Sequence, residues 1–233
     1  MSGAVDGLCL FALVTGTPGR ARLHAADGAP VHFVEAGGFT WAVASRAQRP
    51  EPTLEALEDW DAVVRRIHAR CEATLPFRFG AWISSVDDAA RSMRGSARAL
   101  RAALRQVAGR EQMALRLLGP EGVADEVPTR RPPSEYASGA AFLKDRARRA
   151  REMREVPELA AVRAAVARLV RGERADRHDG QGRLRATVFH LIDRGGAAAY
   201  RRLVRQSAGI PEGFRLAIVG PGPAYAFAPE VSA

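Results

Sequence analysis

The side chains that could do chemistry are few and scattered. Gly16-Thr-Pro-Gly-Arg20 follows an apolar run, as a phosphate-cradling loop would. It lacks the Gly-Lys-Ser/Thr ending that supplies charge and a magnesium ligand, so it reads as a strand-to-loop turn. His68, Cys71 and Glu72 share one helical neighbourhood, but no second cluster such as C-x-x-C or H-E-x-x-H completes a metal site. Cys71 reads as core and His68 as its edge. His178-Asp179 and His190…Asp193 fall in a loop and a strand, with no nucleophile that the sequence places beside them. There is no G-x-S-x-G elbow and no S-x-x-K. The expectation is a chain that is not an enzyme and carries no cofactor and no metal.

Charge is the next candidate. The formal net charge is +9, from 35 Lys+Arg against 26 Asp+Glu; Lys144 is the only lysine and asparagine is absent. That bias resembles a GC-rich genome writing arginine and alanine wherever the fold permits. The densest basic stretch, Lys144 to Glu155, sets Asp145/Arg149, Arg148/Glu152 and Arg151/Glu155 four residues apart. Opposite charges at that spacing make a solvated, self-paired helix face. No aromatics interleave as a stacking platform for bases requires. A nucleic-acid-binding module using an Arg-rich surface is the alternative reading, and nucleic acid is not the expected partner.

These residues need elements to position them, and 233 residues suffice for one large domain or two small ones. A hydrophobic fraction of 47% and a charged fraction of 26% are those of a globular protein. Two cysteines fit a reducing compartment. The longest apolar run, Leu8 to Val14, is too short to cross a bilayer, and Met1 to Asp6 lacks the basic start of a secretory signal. A cytoplasmic protein without a membrane segment is expected.

Leu8–Val14, apolar on both faces, predicts a buried strand. Val31–Val34 and Phe39–Ala44 around Gly37-Gly38 predict a hairpin, with Phe39, Trp41 and Val43 on one face. Thr53 is a natural N-cap for a helix carrying Leu57, Trp60, Val64, Ile67 and Cys71, ending near Thr74 before Pro76. A strand over 75–83 follows, then a helix capped by Ser85-x-x-Asp88 and periodic from Val86 to Val107, then a strand over 110–118. That helix reads as core rather than as a coiled-coil seam. The order predicts an α+β sandwich with helices on one face of a mainly antiparallel sheet.

Glycine and proline mark 119–137 as a linker between domains at 1–118 and 138–233. Beyond it the pattern predicts helices over 139–154 and 157–171, a polar loop over 172–183, a strand over 186–193, a helix over 196–208 and a strand over 214–219. A last extended piece spans 224–228.

Two segments stand apart. In Leu75-Pro-Phe-Arg-Phe-Gly80, Phe77 and Phe79 would share one strand face while Arg78 points to the other, and Gly80 would mark a bulge or close approach. An arginine between large aromatics on a half-buried strand is costly unless its guanidinium finds a partner. Gly220-Pro-Gly-Pro-Ala-Tyr-Ala-Phe227 is a stiff entry followed by two alternating aromatics, Tyr225 and Phe227.

Together with Ser138-Gly-Ala-Ala-Phe-Leu-Lys-Asp-Arg146 and Val188-Phe-His-Leu-Ile-Asp-Arg194, these segments resemble, in order and over nearly the full length, the gas vesicle accessory protein family GvpF/GvpL. The chain departs from the family pattern at Trp60-Asp61, where His-Glu is usual, and at Gly222, where Trp is usual. The resemblance implies a modified ferredoxin-like N-terminal domain and a helix-rich α+β C-terminal domain. It implies a non-enzymatic component of gas vesicles or their assembly, whose partners are the small hydrophobic shell protein and other gas vesicle accessory proteins. Phe77, Arg78, Phe79, Gly80, Tyr225 and Phe227 are the candidate partner-contact or tethering residues. Exposed sheet edges would also permit self-association.

Overall fold

The structure is a computed structural model that describes residues 7–16, 19, 22–25, 27–120, 138, 140, 155–178, 182–207 and 209–229. The chain forms two compact units, one made of the segment up to Glu111 together with that from Gly222 onward, the other of Gln112–Pro221.

The first unit is built on β1 (Gly7–Thr15), β2 (Leu23–His24), β3 (Pro30–Ala36), β4 (Phe39–Arg46), β5 (Ala73–Pro76) and β6 (Trp82–Ile83). The sheet order is β2-β3-β4-β1-β5, with β6 also on β1, and every pairing is antiparallel. Gly37 and Gly38 both take positive φ, 60° and 76°, as the β3–β4 hairpin turn requires. Trp41 Nε1–H closes that hairpin onto the Ala36 carbonyl at 2.9 Å.

Helices cover both faces of this sheet, not one. On one face α1 (Leu54–Arg70), N-capped by the Thr53 hydroxyl accepting from Ala56 N–H at 3.2 Å, buries Trp60, Val63, Val64 and Ile67 against Phe11, Val14, Ala42 and Ala44. Each such side chain contributes about 1.5–3 kcal/mol on leaving water. On the other face lie α2 (Val86–Ser92) and α3 (Ala97–Val107), with the Arg101 guanidinium over the Phe39 ring at 5.2 Å. The buried-on-both-faces patterns of β1 and β4 follow from this double cover. Phe39, Trp41 and Val43 are all buried on the α3 side.

The periodic stretch Val86–Val107 is broken by a 3-10 turn at Met93–Ser96, where Gly95 offers no side-chain support. Ser85 caps α2 as expected, accepting from Asp88 N–H at 3.1 Å and donating to the Asp88 carboxylate at 2.7 Å. The α+β class stands, with a hairpin between β1 and the first helix where a ferredoxin-like unit would run directly from strand to helix.

The second unit carries β7 (Arg110–Leu118), β8 (Val170–Arg177), β9 (Leu184–Asp193) and β10 (Arg215–Gly222) in the order β10-β7-β9-β8. α4 (Ala160–Val166), entered through a 3-10 turn at Pro157–Leu159, and α5 (Ala197–Gln206) pack on it. β7 pairs here because Met113, Leu115 and Leu117 bury against Leu159, Val162, Val166 and Val188. The helix expected to reach Arg171 stops at Val166, and the expected polar loop contains β8. β8 looks polar because it is an edge strand, three of whose charges are paired with residues outside it. Arg171 meets Asp193 at 2.8 Å, Arg177 meets both Glu158 oxygens at 2.7 and 2.8 Å, and Glu173 meets Arg163. Residues 121–137 of the expected linker, the rest of the expected helix beyond Ala140 and the basic stretch from Lys144 to Arg154 lie outside the described residues.

Candidate functional site

The Leu75–Gly80 segment is not one strand. β1 bulges between Leu10 and Ala12, so that Phe11 faces the α1 side together with both Cys9 and Ala12. Downstream of the bulge β1 pairs with β5; upstream it pairs with β6. The intervening residues straddle the bulge, held by Phe77 N–H to the Phe11 carbonyl at 2.9 Å and Leu10 N–H to the Ala81 carbonyl at 3.0 Å. Residues 78–81 make a turn closed by Ala81 N–H to the Arg78 carbonyl at 3.1 Å. Gly80 has φ 73° at its third position, the conformation of a type II turn rather than of a bulge. Arg49 Nε–H fixes the turn from outside through the Gly80 carbonyl at 2.8 Å.

This geometry separates the two phenylalanines. Phe77 is buried and stacks on Trp41 at 6.0 Å, whereas Phe79 is half-buried and meets Trp60 edge-on at 5.4 Å. Trp60 in turn packs on Phe11 at 4.6 Å. The expectation of a shared face fails because strand pairing stops at Pro76, after which the alternation no longer holds. Arg78, between the two rings, is exposed at the turn and is not a buried tether.

The closing segment is likewise not extended. Tyr225–Phe227 forms a 3-10 turn beside β5, with Phe227 buried and Tyr225 37% exposed. The Tyr225 hydroxyl donates to Asp61 Oδ1 at 2.9 Å, and Arg65 Nε–H holds the other carboxylate oxygen at 2.5 Å. Burial, then the neighbouring Asp61 carboxylate, pushes the Tyr225 phenol well above its ordinary range. The phenol therefore stays a hydrogen-bond donor.

Asp61 and Arg65 share a stripe of α1 with Leu54 and Leu57, at helical spacing. Leu57 was expected in the core, yet it is 42% exposed and Leu54 is 73% exposed. Periodicity could have found this second stripe, since 54, 57, 61 and 65 repeat on the flank of the core face. The structure thus brings Arg78, Phe79 and Gly80 together in one turn, and places Tyr225 beside the leucine stripe. It assigns Phe77 and Phe227 to the core.

The second unit holds a polar cluster that no motif announced. Glu173 and His190 are direct partners across β8 and β9. His190 is fully buried, with Nε2 at 2.8 Å from Glu173 Oε2 and Nδ1 at 2.7 Å from the Tyr200 hydroxyl. A carboxylate only accepts, so Nε2 carries the proton and Tyr200 donates to Nδ1. Arg163 completes the chain, with Nε at 3.1 Å from Glu173 Oε2. Burial holds the His190 pKa below its usual value, against the upward pull of Glu173. Burial pushes Glu173 up, but hydrogen bonds from Arg163 and His190 outweigh it and hold the carboxyl below the usual range. Both ring nitrogens and the carboxylate are satisfied, so the cluster braces the core of the second unit.

No curated protein sequence matches the chain. Among solved structures it is similar to the crystal structure of the gas vesicle protein GvpF from Anabaena sp. PCC7120, with a TM-score of 0.68 at 16% identity and coverage of 98% of both chains. It is also similar to the gas vesicle protein GvpF from Microcystis aeruginosa, with a TM-score of 0.69 at 13% identity, covering 96% of this chain and 99% of that one. At such identities the likeness establishes the fold. The family described as gas vesicle synthesis protein GvpL/GvpF matches over residues 7–229. With every described residue inside that match, the chain belongs to the GvpL/GvpF family of gas vesicle synthesis proteins.

Proposed function

We propose that this protein works in the cytoplasm as a gas vesicle assembly or minor structural component, making and breaking no covalent bond. A shell subunit that must line a gas-filled interior exposes an apolar face and would aggregate when free in water. An adaptor with its own small apolar surface and a charged rim covers part of that face and meets other gas vesicle accessory proteins while the first ring forms. The observation that carries the reading is the α1 stripe, where Leu54 and Leu57 stand exposed on the same helix flank as Asp61, the acceptor of half-exposed Tyr225. Exposed Arg78 and half-buried Phe79, set by the turn at Gly80, add a second contact on the same unit.

The test is co-expression of the hydrophobic shell protein with this chain, measuring soluble shell protein and its co-purification. The wild type raises the soluble fraction and co-purifies with it. Leu54→Glu with Leu57→Glu abolishes both while leaving the fold intact, and Arg78→Ala weakens both. Shell protein that is equally insoluble with and without this chain, and never co-purifies, refutes the reading.

A further inference from the structure

α3 carries three arginines, Arg98, Arg101 and Arg105, and no acidic residue. Their i, i+3, i+7 spacing puts all three on one stripe of the helix, where like charges repel. Each is exposed, and none meets a carboxylate among the described residues. Elsewhere in the first unit arginines are neutralised locally, Arg46 by Asp27, Arg65 by Asp61 and Arg91 by Asp88. The stripe borders an open groove of about 840 Å³ between α3, the end of β1 and the tip of the β3–β4 hairpin. Arg101 and Arg105 line it together with Glu35 and Glu72, both exposed and likewise without an ion pair among the described residues. Two cations and two anions thus border one groove, and none of them neutralises another. The Arg101 guanidinium is also held in place, lying over the Phe39 ring at 5.2 Å. Glycine at position 38 leaves room for it, since a Cβ there would stand 3.1 Å from its Nη2. A cation fixed over a ring loses little further freedom when a partner arrives.

We propose that this groove and the stripe beside it dock a helical segment of a partner protein, with a row of carboxylates against Arg98, Arg101 and Arg105 and a basic residue against Glu35 and Glu72. The three arginines are set about 4.5 and 6 Å apart along the axis of α3, the rise between side chains three and four residues apart on a second helix. Same-face side chains of an extended segment repeat at about 6.8 Å and fall out of step. A nucleic-acid backbone presents only negative charge, which Glu35 and Glu72 repel. Phe39, the one ring among the described lining residues, is buried beneath Arg101 and offers no stacking face for a base. The proposal deepens the adaptor role by giving the chemistry of its charged rim, and rests on that role only for the partner's being a gas vesicle protein.

The experiment titrates the full chain into a fluorescent, helix-stapled peptide bearing glutamates at i, i+3 and i+7 with a lysine on its flank, read by anisotropy. The expected result is saturable binding that Arg101→Glu with Arg105→Glu weakens by roughly tenfold or more. A peptide with lysines in place of the glutamates binds that double variant and not the wild type, which also shows the variant to be folded. Glu35→Gln with Glu72→Gln removes the preference for the flanking lysine over alanine. Arg202→Glu with Arg205→Glu, an equally exposed pair on α5 of the second unit, leaves the affinity within about twofold. Equal losses in the two arginine double variants overturn the proposal, because binding then follows net charge and not the groove. Equal binding of an unstapled, scrambled peptide overturns it too. So does a single-stranded oligonucleotide that displaces the peptide and binds more tightly through the same arginines, since the groove is then a nucleic-acid site. Co-purification with the shell protein separates this proposal from the adaptor reading. If wild type binds the peptide but never the shell protein, the adaptor reading fails and the groove stands. If it keeps the shell protein but ignores the peptide, the groove proposal falls and the adaptor reading stands.

Discussion

Two buried polar side chains, one in each unit, are treated in opposite ways. In the second, His190 sits in the core with both ring nitrogens matched, by Glu173 on the paired strand and Tyr200 on α5. In the first, Trp60 is 6% exposed and its N–H meets no acceptor among the described residues. A closed network specifies one packing and gives an outside molecule nothing to complete. An open donor costs free energy that the aromatic packing around it has to offset. The contrast separates a closed polar network from a donor held only by apolar packing.

Phe227→Ala should strike hardest. The ring is 1% exposed in the first unit, and phenylalanine truncation in a core costs about 3–5 kcal/mol. Denaturant unfolding followed by resolved amide resonances should show β1–β4 melting early while β8–β9 holds. Simultaneous loss of both would show that the units do not unfold independently. Tyr200→Phe should reverse the pattern, costing the second unit about 1–3 kcal/mol because His190 Nδ1 loses its donor inside the core. An unchanged midpoint for β8–β9 would mean the brace is ornamental.

Acid sharpens the comparison further. The folded pKa of His190 lies below its unfolded value, so the unfolded chain takes up the extra proton first. Stability of the second unit is complete above the unfolded value near 6.5 and falls as pH drops below it. The slope cannot exceed about 1.4 kcal/mol per pH unit for that one proton. Glu173, also depressed, extends the loss below the ordinary glutamate range near 4.5. His190→Gln keeps hydrogen-bonding capacity without a titrating ring. If its midpoint for β8–β9 falls between pH 7 and 5.5 as steeply as the wild type's, His190 is not the cause.

Tyr225→Phe is the mildest change. Its bond to Asp61 is half in solvent and should contribute no more than about 1 kcal/mol. A midpoint shift several times larger would mean the tail is held chiefly by that hydroxyl and not by Phe227.

Much of the fold was legible in the chain. The twin glycines at 37 and 38, the Thr53 and Ser85 caps and the two-faced apolar run of β1 each carry a local physical cause. The site was legible as a segment, not as a geometry. Phe79 and Gly80 stood out by type, but the bulge at Phe11 decides where those side chains go, and it follows from pairing with two different strands. β8 was hidden because its charges answer to Asp193, Glu158 and Arg163, all distant in sequence. Trp60 was placed correctly in the core, yet nothing local says that its N–H would be left over. The closing segment escaped for the same reason, since Tyr225 finds its acceptor 164 residues upstream.

The division of the chain has a consequence for how the protein is made. The first unit is interrupted after Glu111 and resumes only at Gly222. Phe227, which seals it, thus leaves the ribosome only after the whole inserted unit. Throughout synthesis the growing N-terminal portion waits with an unfilled gap beside β5, while the inserted unit can already close around His190. Stop codons placed before Gly222 would release a finished insert on an unfinished host, so translation itself acts as the final check on the discontinuous unit.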